Sequence, residues 1–197
     1  MAFTPRLNPI GILGNIHWYS NSNPYEATGY GMPNCTAYAW GRFWEIGDPL
    51  GVGSHRPNPN DLPGYWNGGW WWLKFNPNVY QSGSTPALGA VICFEDTSGG
   101  DGHVAIVEQI NNDGESIVTS NSAWNGSFFY TMTLYRSNNY NWGGNDGNRY
   151  RTQGFIYNPY AEQPIPPTPV GNGRGTKFPW VLYANKLRNS RSLTKYN

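Results

Sequence analysis

The clearest patterning along the chain is a set of short apolar runs bounded by glycine, asparagine and aspartate. "GAVICFED" (89–96) and "HVAIVEQI" (103–110) are continuous enough to be strands buried on both faces. "SIVTSNSAW" (116–124) follows an "NNDGE" turn, "SFFYTMTLYR" (127–136) alternates apolar and polar, and "QGFIYNP" (153–159) closes the series. Ahead of them, "CTAYAWGRFWEI" (35–46) has helical spacing. Ala37, Trp40 and Trp44 fall near one face, and Asn34 is placed to cap the N-terminus. One helix followed by several antiparallel strands is an α+β arrangement.

The rest of the chain is punctuation. Residues 1–31 read as loop, broken by Pro5, Pro9 and Pro24. Residues 47–85 are turns and tryptophan, with room for a short helix over 61–66 or 70–76. "EQPIPPTPVGNGRG" (162–175) has the composition of a linker. The expected organisation is a catalytic domain over 1–160 with a Trp-rich insertion at about 47–85, a Pro/Gly-rich linker over 161–176, and a short basic tail over 177–197.

Composition sharpens this picture in two ways. Sixteen percent aromatic residues, ten of them Trp, go with only 13% charged residues. A folded body whose polar surface is built from amides and hydroxyls fits both numbers. A formal net charge of +1 gives no case for nucleic acid as a partner. The charge is uneven, however: residues 161–197 carry six basic residues against Glu162 alone, leaving a mildly acidic body. The opening text has no basic region followed by a long apolar core, so no signal peptide is expected, and no apolar run is long enough for a membrane span. Two cysteines make no disulfide framework.

Candidate chemistry begins with one of those cysteines. A thiol in an apolar neighbourhood is ordinarily inert packing, which is the reading for Cys93. Cys35 instead falls at the first turn of a helix, where partial positive charge favours the thiolate. Of the three histidines, His17 and His55 sit in loop text, whereas His103 opens a strand directly after the glycine turn "TSGGDG". An imidazole there can take the thiol proton and later protonate a leaving amine. Asn121, on the following strand, lies beside His103 if the two strands pair as a hairpin. The N–H of Cys35 and the side chain of Asn34 are candidate oxyanion donors.

The ordered set "NCTAYAWGRF", then "LGAVICFED", then "GHVAIVEQINNDGESIVTSNSAWNG", resembles the CHAP domains, the cysteine- and histidine-dependent amidohydrolase/peptidases of phage lysins and bacterial wall enzymes. The resemblance runs over roughly residues 30–160. It implies a papain-like α+β fold, with an N-terminal catalytic helix packed on an antiparallel β-sheet, and hydrolysis of amide bonds in peptidoglycan. It also implies Cys35 as nucleophile and His103 as base. One departure stands out. Many relatives carry Glu and, two residues on, Asn before an aromatic; aligned on Trp124, this chain has Asn121 and Ala123 at those places. Asn121 is therefore expected to orient the imidazole as a neutral acceptor. Some relatives bind calcium in an Asp-rich loop upstream of the cysteine. Residues 20–34 here hold only Glu26, so neither a metal nor a cofactor is expected. Asp96 and Asp101 read as turn residues.

Three consecutive tryptophans cannot all point inward, so Trp70, Trp71 and Trp72, together with Trp124, are candidates for a substrate-binding surface. Packing of the inserted loop is the plainer reading of that cluster. These features together describe a peptidoglycan hydrolase, either an N-acetylmuramoyl-L-alanine amidase or an endopeptidase. A phage lysin, virion-associated or released from the infected cell, is the expected setting. Bacterial peptidoglycan is then the partner, and phage tail proteins are a second partner for the basic tail. The rival from another class is a catalytically silent wall-binding or phage tail module on the same scaffold. A bacterial wall-remodelling enzyme of the same chemistry is a further alternative.

Overall fold

A computed structural model of the chain describes residues 3–111, 114–136, 142–143 and 149–161, all within the unit Met1–Gln163. The linker and the basic tail lie outside the described residues, as do two positions of the "NNDGE" turn.

The helix expected from the aromatic spacing is α3, Cys35–Gly47. It follows two single-turn helices, α1 (Ile16–Tyr19) and α2 (Pro24–Ala27), in a stretch whose composition reads only as loop. Each of the three is capped by an asparagine, Asn15, Asn23 or Asn34, whose side chain accepts from a backbone N–H in the first turn. Helix α3 buries Ala37, Trp40, Phe43 and Trp44. The glycine inside it has a packing reason: a Cβ on Gly41 would lie 2.5 Å from the indole of Trp18, which is fully buried beside the helix.

Of the two short helices the sequence suggests in the insertion, the one over 70–76 forms in part and the one over 61–66 does not. A 3-10 turn at Gly68–Trp70 runs into α4, Trp71–Lys74, and residues 61–66 form turns. Thereafter come β1 (Ser82–Gly83), β2 (Val91–Asp96), β3 (His103–Ile110), β4 (Ser116–Asn121), β5 (Tyr130–Arg136), β6 (Trp142–Gly143) and β7 (Tyr150–Ile156). Each of the five longer strands overlaps one of the five apolar runs, although β7 starts three residues before its run and ends at Ile156, while β1 and β6 are too short to leave a periodic signature.

The strands form one antiparallel sheet in the order β1-β7-β2-β3-β4-β5-β6. Alternation along β2 and β3 divides the core into two layers. Val91, Cys93, Val104 and Ile106 face Trp40 and Trp44 of α3, whereas Ile92, Phe94, Ala105 and Val107 pack with Ile117, Leu134, Trp142 and Phe155 on the other face. That second face is covered because the sheet coils on itself. The N–H of Trp142 on β6 donates to Thr152 Oγ1 on β7 at 2.9 Å, although β6 and β7 stand near opposite ends of the strand order. A helix packed on a coiled antiparallel sheet is the expected papain-like α+β fold.

Helix and sheet are joined by a buried polar cluster. Arg42 of α3 donates from Nε to Glu108 Oε1 and from a terminal nitrogen to Glu108 Oε2, both at 2.9 Å. Glu108 sits where the β3–β4 register slips between Val107 and Gln109, and it also accepts from Ser120 Oγ on β4 at 2.7 Å and from the N–H of Arg6 at 2.7 Å. A carboxylate with no exposed surface is tolerable only when its oxygens are satisfied in this way. The cluster ties α3, β3 and β4 in register, and each of those elements carries one residue of the candidate site.

Candidate active site

Cys35 is the first residue of α3, beneath the cap of Asn34, whose Oδ1 accepts from the N–H and the hydroxyl of Thr36 at 3.1 and 3.0 Å. As the first helical residue, Cys35 has an N–H with no acceptor inside the helix. His103 opens β3. The register Ile106↔Ser120 brings Asn121 level with Ala105, two residues along and on the face that His103 uses. The His103 Nε2 to Asn121 Oδ1 distance is 3.0 Å. The amide of Asn121 is itself oriented, since Nδ2 donates to the carbonyl oxygen and Oγ1 of Thr119 at 3.2 and 3.0 Å. Its Oδ1 therefore faces the ring as an acceptor. With Oδ1 as the acceptor, Nε2 is the ring nitrogen that donates.

Burial pushes the Cys35 thiol up. The hydrogen bond and charge of His103, with backbone hydrogen bonds from Val104 and Thr36, outweigh it and bring the thiol below its ordinary value. Cys93 has no such company, and burial alone raises it far above the thiol range. The two thiols are therefore displaced in opposite directions, Cys35 downward by its neighbours and Cys93 upward by burial.

His103 owes its position to glycines. Gly102 has φ +70°, and a Cβ there would lie 2.4 Å from Cα of Gly69. Across this contact the N–H of Gly69 donates to the Asp101 carbonyl at 2.7 Å, and Asn67 Nδ2 donates to Asp101 Oδ1 at 2.7 Å. The Trp-rich insertion is thus clamped against the start of β3.

The three residues open into a cleft of about 830 Å³ whose lining includes Asn34, Cys35, His103, Asn121, Tyr65, Trp66 and Trp124. Residues 25–123, half of the chain, match the CHAP domain family. The chain belongs to the CHAP family. It is 29% identical over 110 residues to a probable autolysin, SsaALP, of Staphylococcus aureus, covering 55% of this chain and 34% of that protein. A putative hydrolase of Streptococcus mutans is 43% identical over 49 residues, covering 25% of this chain and 22% of that protein. The chain thus spans about a third of the length of the first of these relatives and less of the second. Among solved structures, the N-acetylmuramoyl-L-alanine amidase from Staphylococcus aureus aligns at TM-score 0.40 and 27% identity over 53% of this chain and 29% of that one. Ly7917 aligns at 0.41 and 14% over 66% of this chain and 55% of that one.

Within the CHAP domain, Asn34 has a commitment the sequence does not reveal. Its Oδ1 caps α3, and Nδ2 donates to the Tyr30 carbonyl at 2.8 Å, so a single amide hydrogen is left for an oxyanion. Of the four tryptophans expected on a substrate surface, Trp124 alone lines the cleft. Successive residues of a helical turn point about 100° apart, so the 3-10 turn and α4 send their indoles in different directions. Trp71 is fully buried and donates to Tyr25 Oη at 3.0 Å. Trp72 lies over Gly154 of β7, and Trp70 is half exposed beside Trp66 but outside the cleft. The indole that reaches the cleft from the insertion is Trp66. The "NGG" that follows it was the available signal, because paired glycines permit the backbone approach to Gly102. Among the described residues no cluster of His, Cys, Asp and Glu is arranged to hold a metal.

Proposed function

We propose that this CHAP domain is a peptidoglycan hydrolase that cleaves an amide bond by a Cys–His mechanism. The observation that carries the reading is the chain from Cys35 through His103 to Asn121, with a thiol lowered by the imidazole at a helix start inside an open cleft. Wall-acting relatives support the substrate class.

In the first step the proton of Cys35 moves to His103 Nδ1, and the thiolate attacks the carbonyl carbon of the scissile amide. The developing oxyanion is held by the Cys35 N–H and the remaining amide hydrogen of Asn34. The imidazolium then gives its proton to the amide nitrogen, which leaves as an amine and a thioester remains. Water enters, loses a proton to His103 and attacks the thioester. Collapse releases a carboxylic acid and restores the thiol. Asn121 accepts from Nε2–H throughout, keeping the ring in one orientation and tautomer.

The setting we propose is a phage lysin, virion-associated or released at lysis, organised as a catalytic domain over 1–160, a linker over 161–176 and a tail over 177–197. The basic residues of the tail suit contact with an anionic wall or with phage tail proteins.

The test is digestion of purified sacculi by wild type and by Cys35→Ala, with products read by mass spectrometry. Soluble fragments from wild type alone are expected. If neither protein releases fragments while both bind the wall, the domain is a silent binding module and the hydrolase reading is lost.

A further inference from the structure

The His103 ring has aromatic neighbours on two other strands. Phe94 of β2 lies directly opposite His103 in the β2–β3 register, with ring centres 6.2 Å apart and planes inclined by 28°. Tyr150, the first residue of β7, stands 6.0 Å from the same imidazole at 43°, and 6.3 Å from Phe94. Both side chains line the cleft.

Tyr150 reaches that place through a slip in the sheet. Val91, Ile92 and Cys93 of β2 pair in turn with Ile156, Phe155 and Gly154 of β7. The register then skips Gln153, so that Phe94 opposes Thr152 and Asp96 opposes Tyr150. Partners across a sheet share a face, and a one-residue slip exchanges the faces of every position beyond it. Without the slip, Gln153 and Arg151 would share the face of Phe94, and Tyr150 would belong to the other. With it, β7 delivers an aromatic ring to the face on which His103 stands.

The start of β7 is anchored one residue before Tyr150. The Arg149 carbonyl accepts from the N–H of Thr97 at 2.8 Å and from the Thr97 hydroxyl at 2.9 Å. Arg149 Nε donates to Asp96 Oδ2 at 2.9 Å, and the guanidinium lies 5.3 Å from the centre of the Tyr150 ring. Backbone and side chain thus both tie this segment to the end of β2.

The chemistry of the site gives such a ring a task. Transfer of the Cys35 proton leaves an imidazolium, which Asn121 meets with a neutral oxygen. An aromatic face attracts a cation within about 6 Å of its centre, more strongly where water is excluded. The charged and titratable groups around His103 are Cys35 on α3, Asp101 in the turn before β3, which accepts from Asn67, and the Asp96–Arg149 pair beyond Tyr150. The strands β2 and β4 present Phe94 and Asn121, neither of which carries charge.

We infer that Tyr150 is a positioning residue for His103. Its ring, backed by Phe94, holds the imidazole in place and favours the protonated form, supplying part of the stabilisation that a carboxylate at position 121 would give. The catalytic consequence rests on the Cys–His reading above; the contact itself does not.

The test is an NMR titration of His103 in the Cys35→Ala protein, which removes the coupled thiol. The His103 signal is assigned by its loss in His103→Gln. Tyr150→Leu, Tyr150→Met and Tyr150→Phe are compared on the Cys35→Ala background, with circular dichroism to confirm folding. Losing the aromatic face in the Leu and Met variants is expected to lower the His103 midpoint by about half a unit, and Tyr150→Phe to restore most of it. In protein with Cys35 intact, Tyr150→Leu should lower kcat on solubilised peptidoglycan about threefold to tenfold with little change in KM. It should also move the basic limb of the pH profile downward, and Tyr150→Phe should recover most of the rate. One midpoint shared by the parent and all three variants overturns the inference. So does a fall in Tyr150→Phe equal to that in Tyr150→Leu, which assigns the effect to the hydroxyl. If wild type hydrolyses no wall, the Cys–His reading fails, while the titration still decides the contact between Tyr150 and His103.

Discussion

His103 Nε2 and Asn121 Oδ1 stand 3.0 Å apart across the β3–β4 pair, and Thr119 holds the Asn121 amide so that its oxygen faces the ring. A neutral acceptor fixes the tautomer but stabilises the imidazolium less than a carboxylate does. Asn121→Ala is therefore expected to lower kcat on solubilised peptidoglycan by on the order of tenfold to a hundredfold with little change in KM. Asn121→Asp should keep activity and move the basic limb of the pH profile upward, because a carboxylate favours the protonated ring. A kcat for Asn121→Ala within twofold of wild type removes Asn121 from the positioning role.

Much of this arrangement was legible before any coordinates. Cys35 and His103 announce themselves because a capped helix start and a glycine-bounded strand start are local features, encoded within a few residues. The Asn121 pairing needed one non-local assumption, that β3 and β4 form a hairpin, and the register meets it. The orientation of the individual tryptophans of the insertion is not legible in the sequence, for the opposite reason. Which of Trp66, Trp70, Trp71 and Trp72 reaches the cleft depends on the Gly69–Gly102 contact between segments more than thirty residues apart, and no periodicity within the insertion records it. The Arg42–Glu108 pair was equally hidden, since alternation puts Glu108 on the same face as Val104 and Ile106 but nothing near it in the sequence names a partner 66 residues away on α3.

The contrast between the two thiols gives a second prediction. With His103 lowering Cys35 against its burial, alkylation of native protein by iodoacetamide should modify one cysteine, half-maximal below the ordinary thiol value of about 8.5. Peptide mapping should place the label on Cys35, with Cys93 labelled only in denaturant. His103→Ala should move the Cys35 midpoint upward, since burial then acts with less opposition. Equal labelling of both thiols in the native state contradicts this account of the site.

The buried Arg42–Glu108 pair predicts a third result. Glu108→Leu leaves the Arg42 guanidinium partly unpaired in the interior, so unfolding in urea should show a loss of about 3–5 kcal/mol. The double variant Arg42→Met with Glu108→Leu should recover a substantial part of that loss, since both charges leave together. The same cluster sets the approach of α3 to β3 and β4. Glu108→Gln, which keeps the shape of the side chain, should therefore lower kcat more than it raises KM. Two single variants whose costs simply add in the double would mean that the residues are energetically independent.

Two other carboxylates, Glu45 and Asp48, contribute to the acid sensitivity of the fold. Burial raises Glu45, but Arg6 and Arg42 outweigh it; burial likewise raises Asp48, but Ser54, the N–H of Gly53, His17 and the N–H of Val52 outweigh it. Both groups therefore end below the ordinary carboxylate range, and the unfolded chain binds their protons first. The stability they contribute is fully present above the unfolded values near pH 4 and is lost as pH falls through the lower folded values. Urea midpoints measured from pH 7 down to pH 2.5 should accordingly hold steady to about pH 5 and then fall. Asp48→Asn should start lower at pH 7, by on the order of 1–3 kcal/mol, because the N–H donors of Val52 and Gly53 lose a charged acceptor. Its midpoint should then fall less steeply, so that the two curves converge in acid. Parallel curves over the whole range would mean that Asp48 does not carry the proton linkage assigned to it.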